Sequence, residues 1–472
     1  MAKSNIKLIN FLYDLSPSFG KNVAASIYGY KQRKLRYQSD FHDYFQLLKK
    51  TEFYSTSQLN ASQFDKIRDF LIFAFENSPY YKNSFLVNSF DPTRFTEIDD
   101  IKKLPIISKE EVRINASKIS CGNKFEQTLM RKTSGTSGKP LNFPVTMECF
   151  QKGYANSALL FSWYGLDFKS RIAKVDGQPI IPIEQKNPPF WVQDYFNNDL
   201  YFSSYHLSSD FLPLYIEKLK EFQPEIIEGY PTSLYLLALA NKNLRGNIRP
   251  KLIRTGSETL LDYQRKVIED SFQCKIHNLY GAAENCISAI ECKEGNLHLQ
   301  LLYGYTEFIN QQGIAAIPGE PATVVVTGFT NYAFPLIRYE LGDQVKLSEK
   351  QECKCGRGGI LLDEIIGRTD DYIITPDGRM ICSLGHIFQK PKGVVNAQLL
   401  QDSPEKLTIK IVRSDEYNTE SEKILLIEAR KRLGNKLDIE IQYVEFIPRE
   451  SNGKFKFIIS SVPKNVFKTR IN

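Results

Sequence analysis

The sequence has no apolar run long enough to cross a bilayer, so a helical membrane span is not expected. Its start, MAKSNIKLINFLYDL, lacks the apolar core and small-residue cleavage site of a signal peptide, and a cytoplasmic protein is expected. No fixed-period repeat and no low-complexity block is visible. A concentrated basic patch is also missing. Lys and Arg number 61 against 54 Asp and Glu, a net charge of +7 over 472 residues. That balance permits an anionic ligand but does not demand nucleic acid, and no nucleic-acid partner is expected. One local run, Lys31, Arg33, Lys34 and Arg36, could touch an anionic membrane face or a partner, but it reads first as a solvated helix. With no export signal, the eight cysteines read as reduced thiols or metal ligands, not disulfides.

What is present is ordinary globular sequence: 42% apolar and 24% charged residues, enough for a sizeable core and two to four folding units. Residues 61–77 read as an amphipathic helix with Phe64, Ile67, Leu71 and Phe75 on one face, ended by Pro79. Between about 160 and 350, short apolar runs (LIRTG, CKIHNLYG, TVVVTGF) alternate with helical patterns (PLYIEKLKEF, SLYLLALANKNL), which predicts a layered α/β architecture. After about residue 370 the pattern changes to β-β-α-β. It has a hairpin at Asp377-Gly378 and a helix opened by a capping box of Thr419 and Glu422 and closed at Gly434. The expectation is a large domain over 1–369, with 1–60 poorly assigned, and a small α+β domain over 370–472.

The stretch RKTSGTSGKP, residues 131–140, has no side chain suited to a core. Its glycines let the backbone approach a ligand, its amides and hydroxyls donate to oxyanions, and Lys139 adds charge, which suits a phosphate. A Walker A loop is excluded by spacing. Only Thr136 and Ser137 separate Gly135 from Gly138, and Pro140 follows the lysine.

TSGTSGKP resembles the phosphate loop of the adenylate-forming superfamily of acyl-CoA synthetases and ligases. That family's later signatures have counterparts in order over roughly 320 residues: RTGSETL at 254–260, YGAAE at 280–284, Asp343 in RYELGD, GRTDD at 367–371, and SNGKFKF with Lys454. SPYYKNSF, LYFSSYHLS, EGYPTSLYLLA and FPLIRYELGD are similar to its phenylacetate-CoA ligase branch, especially the CapK-like group of capsular polysaccharide biosynthesis. The resemblance covers nearly all the chain after residue 60.

The resemblance implies an α/β protein with a large multi-layer N-terminal domain and a small, mobile C-terminal domain. It implies ATP-dependent activation of a carboxylate as an acyl-adenylate, then transfer of the acyl group to CoA or an amine. The implied cofactors are ATP (leaving as AMP) and Mg²⁺, and the implied partners are a small carboxylate and CoA or an amine acceptor, such as an amino sugar. By the same resemblance Thr133, Ser134, Gly135, Thr136, Ser137, Gly138 and Lys139 hold the phosphates. Gly256, Ser257 and Glu258 line adenosine, Tyr280 and Gly281 flank adenine, and Glu284 binds Mg²⁺. Asp343 holds the ribose hydroxyls, and Arg368 approaches the nucleotide. Lys454 bridges carboxylate and α-phosphate, and Asp370 is the hinge. Ala283 departs from the family, where a Ser or Thr hydroxyl commonly contacts phosphate. His206 is a further candidate near substrate, and Gly229, Tyr230 and Pro231 are candidates for the acyl pocket.

A second cluster stands apart from these. Cys292 and His298 in ECKEGNLH, with Cys353 and Cys355 in ECKCGRGG, make a three-sulfur, one-imidazole set suited to structural zinc, with Cys286 as an alternative ligand. Related ligases carry a similar arrangement. Two other functions remain open on sequence alone: a nucleotidyl transferase moving AMP onto an acceptor hydroxyl, and a non-catalytic nucleotide-binding partner of a polysaccharide assembly complex.

Overall fold

The computed structural model describes residues 13, 16–133, 141–182, 184–208, 210–257, 260, 262–310, 312–366, 373–381, 384–388, 390–413, 415–445, 447 and 458–462. The chain opens with helices α1 (Ser18–Arg36), α2 (Ser39–Thr51), α3 (Thr56–Asn77) and α4 (Pro79–Val87). α3 starts five residues earlier than its apolar periodicity suggests. Ser55 and Gln58 form a reciprocal cap there: the Ser55 hydroxyl accepts from the Gln58 amide at 3.3 Å, and the Gln58 side chain accepts from the Ser55 amide at 2.9 Å. Ile67 and Leu71 of the expected stripe are fully buried, while Phe64 and Phe75 lie at its rim.

A sheet of twelve strands dominates the fold. Its central part is parallel: β5 (Asp199–Phe202), β3 (Ile172–Val175), β6 (Ile226–Gly229), β7 (Leu252–Gly256) and β8 (Ile276–Gly281) lie side by side in that order. Helices α7 (Leu212–Phe222), α8 (Pro231–Asn243) and α9 (Asp262–Phe272) supply the crossovers that parallel pairing requires. From β8 onward every pairing is antiparallel, through β9 (Ser288–Glu291), β10 (Leu297–Leu299), β14 (Leu361–Ile365), β13 (Leu336–Leu347), β12 (Pro321–Gly328) and β11 (Tyr305–Ile309). Buried aliphatic side chains such as Ile227, Ile253 and Ile276 fill one core around the parallel part. Ile67, Phe70, Val324 and Val326 belong to a second core against the antiparallel part. Helix α6 (Met147–Ser162), with α2, covers a third through Phe41, Leu159 and Leu160.

At the far side, β4 (Trp191–Asp194) pairs antiparallel with β5 and ends the sheet. Edge strands carry unpaired amides, and here α1 satisfies one in β4 and one immediately after it. Asn22 Oδ1 accepts from the Gln193 amide at 2.9 Å, and the Ser26 hydroxyl accepts from the Tyr195 amide at 3.0 Å. Gly29 permits this approach, because a Cβ there would lie 1.8 Å from Asp194 Oδ2.

The C-terminal segment builds its own four-stranded sheet, ordered β19 (Asp438–Tyr443), β18 (Lys406–Arg413), β17 (Val394–Ser403), β20 (Ile458–Ser460). The hairpin at Asp377-Gly378 joins the short β15 (Ile373–Ile374) and β16 (Met380–Ile381). Helix α10 (Thr419–Leu433) is capped by Asn418, one residue before the expected Thr419. Asn418 is extended, and its Oδ1 accepts from the Glu420 and Ser421 amides at 3.0 and 3.1 Å, which leaves Thr419 inside the first turn. Gly434 closes the helix at φ 78° as expected. Arg432 Nη1 donates to the Tyr205 hydroxyl at 2.8 Å, linking α10 to the turn Ser204–His206.

Candidate active site

The parallel strands β6, β7 and β8 end side by side at Gly229, Gly256 and Gly281. Ligands of open α/β sheets sit beyond such carboxyl ends. At Gly256 a Cβ would lie 2.5 Å from the Leu279 carbonyl oxygen, so only glycine lets β7 and β8 close up there. Ser257 follows with φ 68°, turning the chain out of the sheet.

Tyr280, near the end of β8, is buried, and its hydroxyl donates to Asp343 Oδ2 at 2.9 Å. Asp343 reaches this position through a register break in β13. Thr323 of β12 faces Gln344, whereas Val325 faces Glu340, so the residues between them, including Gly342 at φ 83°, are displaced from the ladder. Three residues beyond β8, Glu284 is 4% exposed. Its Oε1 accepts from the Tyr339 hydroxyl at 3.1 Å and lies 3.4 Å from Lys109 Nζ.

Lys109 has no counterpart in the sequence reading, because nothing in spacing ties it to a residue 175 positions away. The fold fixes it by a short parallel bridge between Ile107 and Tyr339. The Ile107 amide donates to the Arg338 carbonyl, and the Glu340 amide donates to the Ile107 carbonyl, both at 2.9 Å. Helix α5 (Lys109–Ile114) starts there, capped by Ser108. Arg338, at φ 47°, is braced by a two-point ion pair with Glu307, with Nε and Nη2 each 2.9 Å from a carboxylate oxygen.

Thr133 is buried at the tip of the hairpin of β1 (Thr128–Lys132) and β2 (Asn142–Thr146). Its amide donates to the Leu141 carbonyl, and its hydroxyl accepts from the Leu141 amide, both at 3.0 Å. These bonds close the base of the Ser/Thr/Gly loop. Ser134, Gly135, Thr136, Ser137, Gly138, Lys139, Glu258, Arg368, Asp370 and Lys454 lie outside the described residues. His206 is buried, stacked on Phe190 with centroids 4.7 Å apart, and shares a 2.8 Å hydrogen bond with Ser203. Tyr230 and Pro231 open α8 directly after β6.

The Cys/His set does come together. The ligating atoms of Cys292, His298, Cys353 and Cys355 all lie within 4.8 Å of one another. Cys292 and Cys353 sulfurs are 3.6 Å apart, and Cys355 Sγ is 3.4 Å from His298 Nε2. The other ring nitrogen, His298 Nδ1, faces the Gly358 carbonyl at 3.4 Å. Burial pushes the Cys292 thiol up to about 12 and holds His298 below its ordinary value, which favours neutral imidazole. At Cys353 burial opposes ionisation, but hydrogen bonds from Cys355, Cys292 and Asn296 outweigh it and lower the thiol pKa. Cys286 is not in the cluster; it packs instead against Gly304 and Gly328. Gly281 at the active end of β8 pairs with Ser288 at the start of β9, and Cys292 follows the opposite end of β9. The two candidate sites therefore lie at opposite ends of one strand.

Known proteins resemble this chain over most of its length. The family model for the CapK C-terminal domain matches residues 373–461. Protein CapK of Staphylococcus aureus is 27% identical over 461 residues, covering 96% of this chain and all of the relative. The phenylacetate-coenzyme A ligase of Escherichia coli (strain K12) is 25% identical over 339 residues, 68% of this chain and 73% of the relative. Among solved structures, 2-hydroxyisobutyryl-CoA ligase in complex with 2-HIB-AMP and CoA superposes with a TM-score of 0.60 at 17% identity, over 87% of this chain and 91% of that one. The chain is thus a homologue of CapK and of the phenylacetate-coenzyme A ligases, with the fold of the adenylate-forming ligases and a CapK C-terminal domain.

Proposed function

We propose that the chain is an AMP-forming ligase that activates a carboxylic acid with ATP and passes the acyl group to CoA or an amine in surface-polysaccharide assembly. The observation that carries this reading is the grouping of Tyr280 at the end of β8 and Glu284 just beyond it against β13, where Tyr280 meets Asp343 and Glu284 meets Tyr339, beside the open ends of the parallel strands. A carboxylate oxygen attacks the α-phosphorus, a new P–O bond forms, and pyrophosphate departs. The acceptor nucleophile then attacks the acyl carbon and AMP leaves. Both steps need positioned reactants and stabilised phosphate charge.

In this reading Asp343, oriented by the Tyr280 hydroxyl, accepts from the ribose hydroxyls. Gly256, Ser257 and Glu258 line the adenosine, and the closely paired strands at Gly256 present bare backbone to it. Thr133 anchors the loop whose Ser134, Thr136 and Lys139 hold phosphate oxygens. Glu284 would hold Mg²⁺ through Oε2, its Oε1 being engaged by Tyr339 and Lys109. When bound, the metal neutralises charge on the phosphates. Arg368 approaches the nucleotide from just before the hinge at Asp370, and Lys454 approaches it from the C-terminal domain beyond that hinge and pairs with the attacking carboxylate in the first step.

The Cys/His set is proposed as structural zinc. A tetrahedron with Zn–S near 2.3 Å and Zn–N near 2.0 Å has edges of about 3.8 and 3.5 Å. The sulfur–sulfur and sulfur–nitrogen separations of 3.6 and 3.4 Å are close to those edges. The Gly358 carbonyl facing Nδ1 would orient the imidazole.

The test is ATP–pyrophosphate exchange by the purified chain with a panel of aromatic, hydroxylated and sugar acids, followed by mass spectrometry of products with CoA or amino sugars. Acid-dependent exchange and free AMP support the proposal. No exchange with any acid, or AMP retained on the acceptor, overturns it.

A further inference from the structure

Surface helices of soluble proteins normally turn an apolar stripe inward and leave charge outside. From Phe19 to Tyr30 α1 does the reverse, and only beyond that does a large apolar residue, Leu35, pack on a core. Its inward side uses polar and small groups, with Asn22 and Ser26 bonded to the β4 edge and Gly29 against Asp194. Two cations of the basic run also turn inward and are only partly exposed: Arg33 lies over Phe168 at 5.1 Å and Arg36 over Tyr154 at 4.7 Å. The run is therefore not the uniformly solvated helix expected from sequence.

The outward side carries Phe19, Val23, Ile27 and Tyr30, exposed by 75, 40, 54 and 42%. Spacings of four, four and three place them in a single stripe about 80° wide. Lys31 and Lys34 border it, both exposed, with Lys34 Nζ 4.5 Å from the Tyr30 ring centroid. The stripe continues onto the turn after β4. Tyr30 meets Phe196 edge to face at 5.0 Å, and Tyr195 and Phe196 are themselves 56 and 45% exposed. α1 contains five Lys and Arg and no Asp or Glu. The acid before the turn, Asp194, is 1% exposed and accepts from the Phe196 and Asn197 amides.

We propose that this face docks the protein on an anionic lipid surface, with α1 lying in the plane of the interface. The Phe, Val and Ile side chains would enter the boundary between headgroups and acyl chains, the tyrosines would sit at headgroup level, and Lys31 and Lys34 would pair with lipid phosphates. No helix among the described residues is long and apolar enough to cross a membrane. Charge favours lipid over a second copy of the chain: a two-fold contact through this patch would set the lysines of one α1 against those of the other, and α1 itself has no acid to offset them.

The test is co-sedimentation of the full chain with phosphatidylcholine vesicles containing phosphatidylglycerol, and with phosphatidylcholine alone. Binding is expected only to the anionic vesicles. Lys31→Glu with Lys34→Glu should lower partitioning at least 25-fold, at about fivefold per lost lysine. Phe19→Ser with Ile27→Ser should lower it at least tenfold. All four positions are exposed, and circular dichroism should show each variant folded. Equal binding to neutral vesicles, no binding to either, or undiminished binding by both variants overturns the proposal. So does a dimer in light scattering that Ile27→Ser abolishes without any lipid binding.

Discussion

The Tyr280 hydroxyl donates to Asp343 Oδ2 at 2.9 Å, tying the end of the last parallel strand to the displaced stretch of β13. If Asp343 takes the ribose hydroxyls, this bond sets the carboxylate's direction before ATP arrives. Tyr280→Phe keeps the ring and removes the bond. It should raise KM for ATP about three- to tenfold with little change in kcat, the worth of one hydrogen bond. Asp343→Ala should cost more than Tyr280→Phe. Steady-state exchange kinetics against ATP check both, and an unchanged KM in both variants would remove Asp343 from the nucleotide site.

Lys109 and Glu284 make opposite predictions for the metal. Lys109 Nζ lies 3.4 Å from the carboxylate, so it competes with any cation there. Lys109→Ala should lower the Mg²⁺ concentration for half-maximal exchange about three- to tenfold, whereas Glu284→Gln should raise it at least tenfold. Titrating Mg²⁺ at fixed ATP distinguishes them. A shift in the same direction for both variants would contradict the proposed role of Glu284.

Lys454, outside the described residues, is proposed to act in the first step alone. Lys454→Ala should lower exchange on the order of 100-fold or more, the scale of losing a charge aimed at the transition state. Acyl transfer from a chemically supplied acyl-adenylate should be nearly intact. Equal loss in both assays would mean the lysine is structural.

Purified protein should carry one zinc per chain by elemental analysis. Chelation, or Cys353→Ser, should lower the melting temperature by several degrees because metal binding is coupled to folding. The folded fraction should keep its exchange activity, since Cys292 and Tyr280 sit at opposite ends of the β8–β9 pair.

His277 gives a pH dependence of stability. Burial holds its imidazole down to about 4, and it shares a 2.5 Å hydrogen bond with the Tyr164 hydroxyl. The unfolded chain takes up this proton near 6.5 and the folded chain near 4. Stability is therefore full above 6.5 and falls as pH drops through that window, by roughly 2 kcal/mol at pH 5. Urea unfolding at pH 7 and pH 5 measures it. His277→Asn should be less stable at neutral pH and should lose this part of the slope.

Much of the architecture was legible in sequence because local signals and the final fold agree. LIRTG and CKIHNLYG are short apolar runs ended by glycine, and they became β7 and β8, with Gly256 required by the neighbouring carbonyl. The helix stop at Gly434 was legible for the same reason, whereas its start was misplaced by one residue because Asn, Thr and Ser all cap well and only backbone geometry chooses among them. The Cys/His grouping could be read from residue type, since few other chemistries gather three thiols and an imidazole. Lys109 could not, because it reaches Glu284 through one backbone bridge at Ile107 that leaves no periodic trace. The inverted amphipathicity of α1 was hidden for a related reason. The apolar stripe is plain in the letters, but which side faces the protein depends on a strand edge more than 150 residues away, as the Asn22–Gln193 separation of 171 shows.

That strand edge also limits how the gene can be shortened. A polypeptide begun after residue 36 would leave the Gln193 and Tyr195 amides without their helix partners and β4 open along its length. Exposed in that way, the sheet would recruit a neighbouring molecule's strand, so a trimmed enzyme should form insoluble polymers even with every reactive group intact.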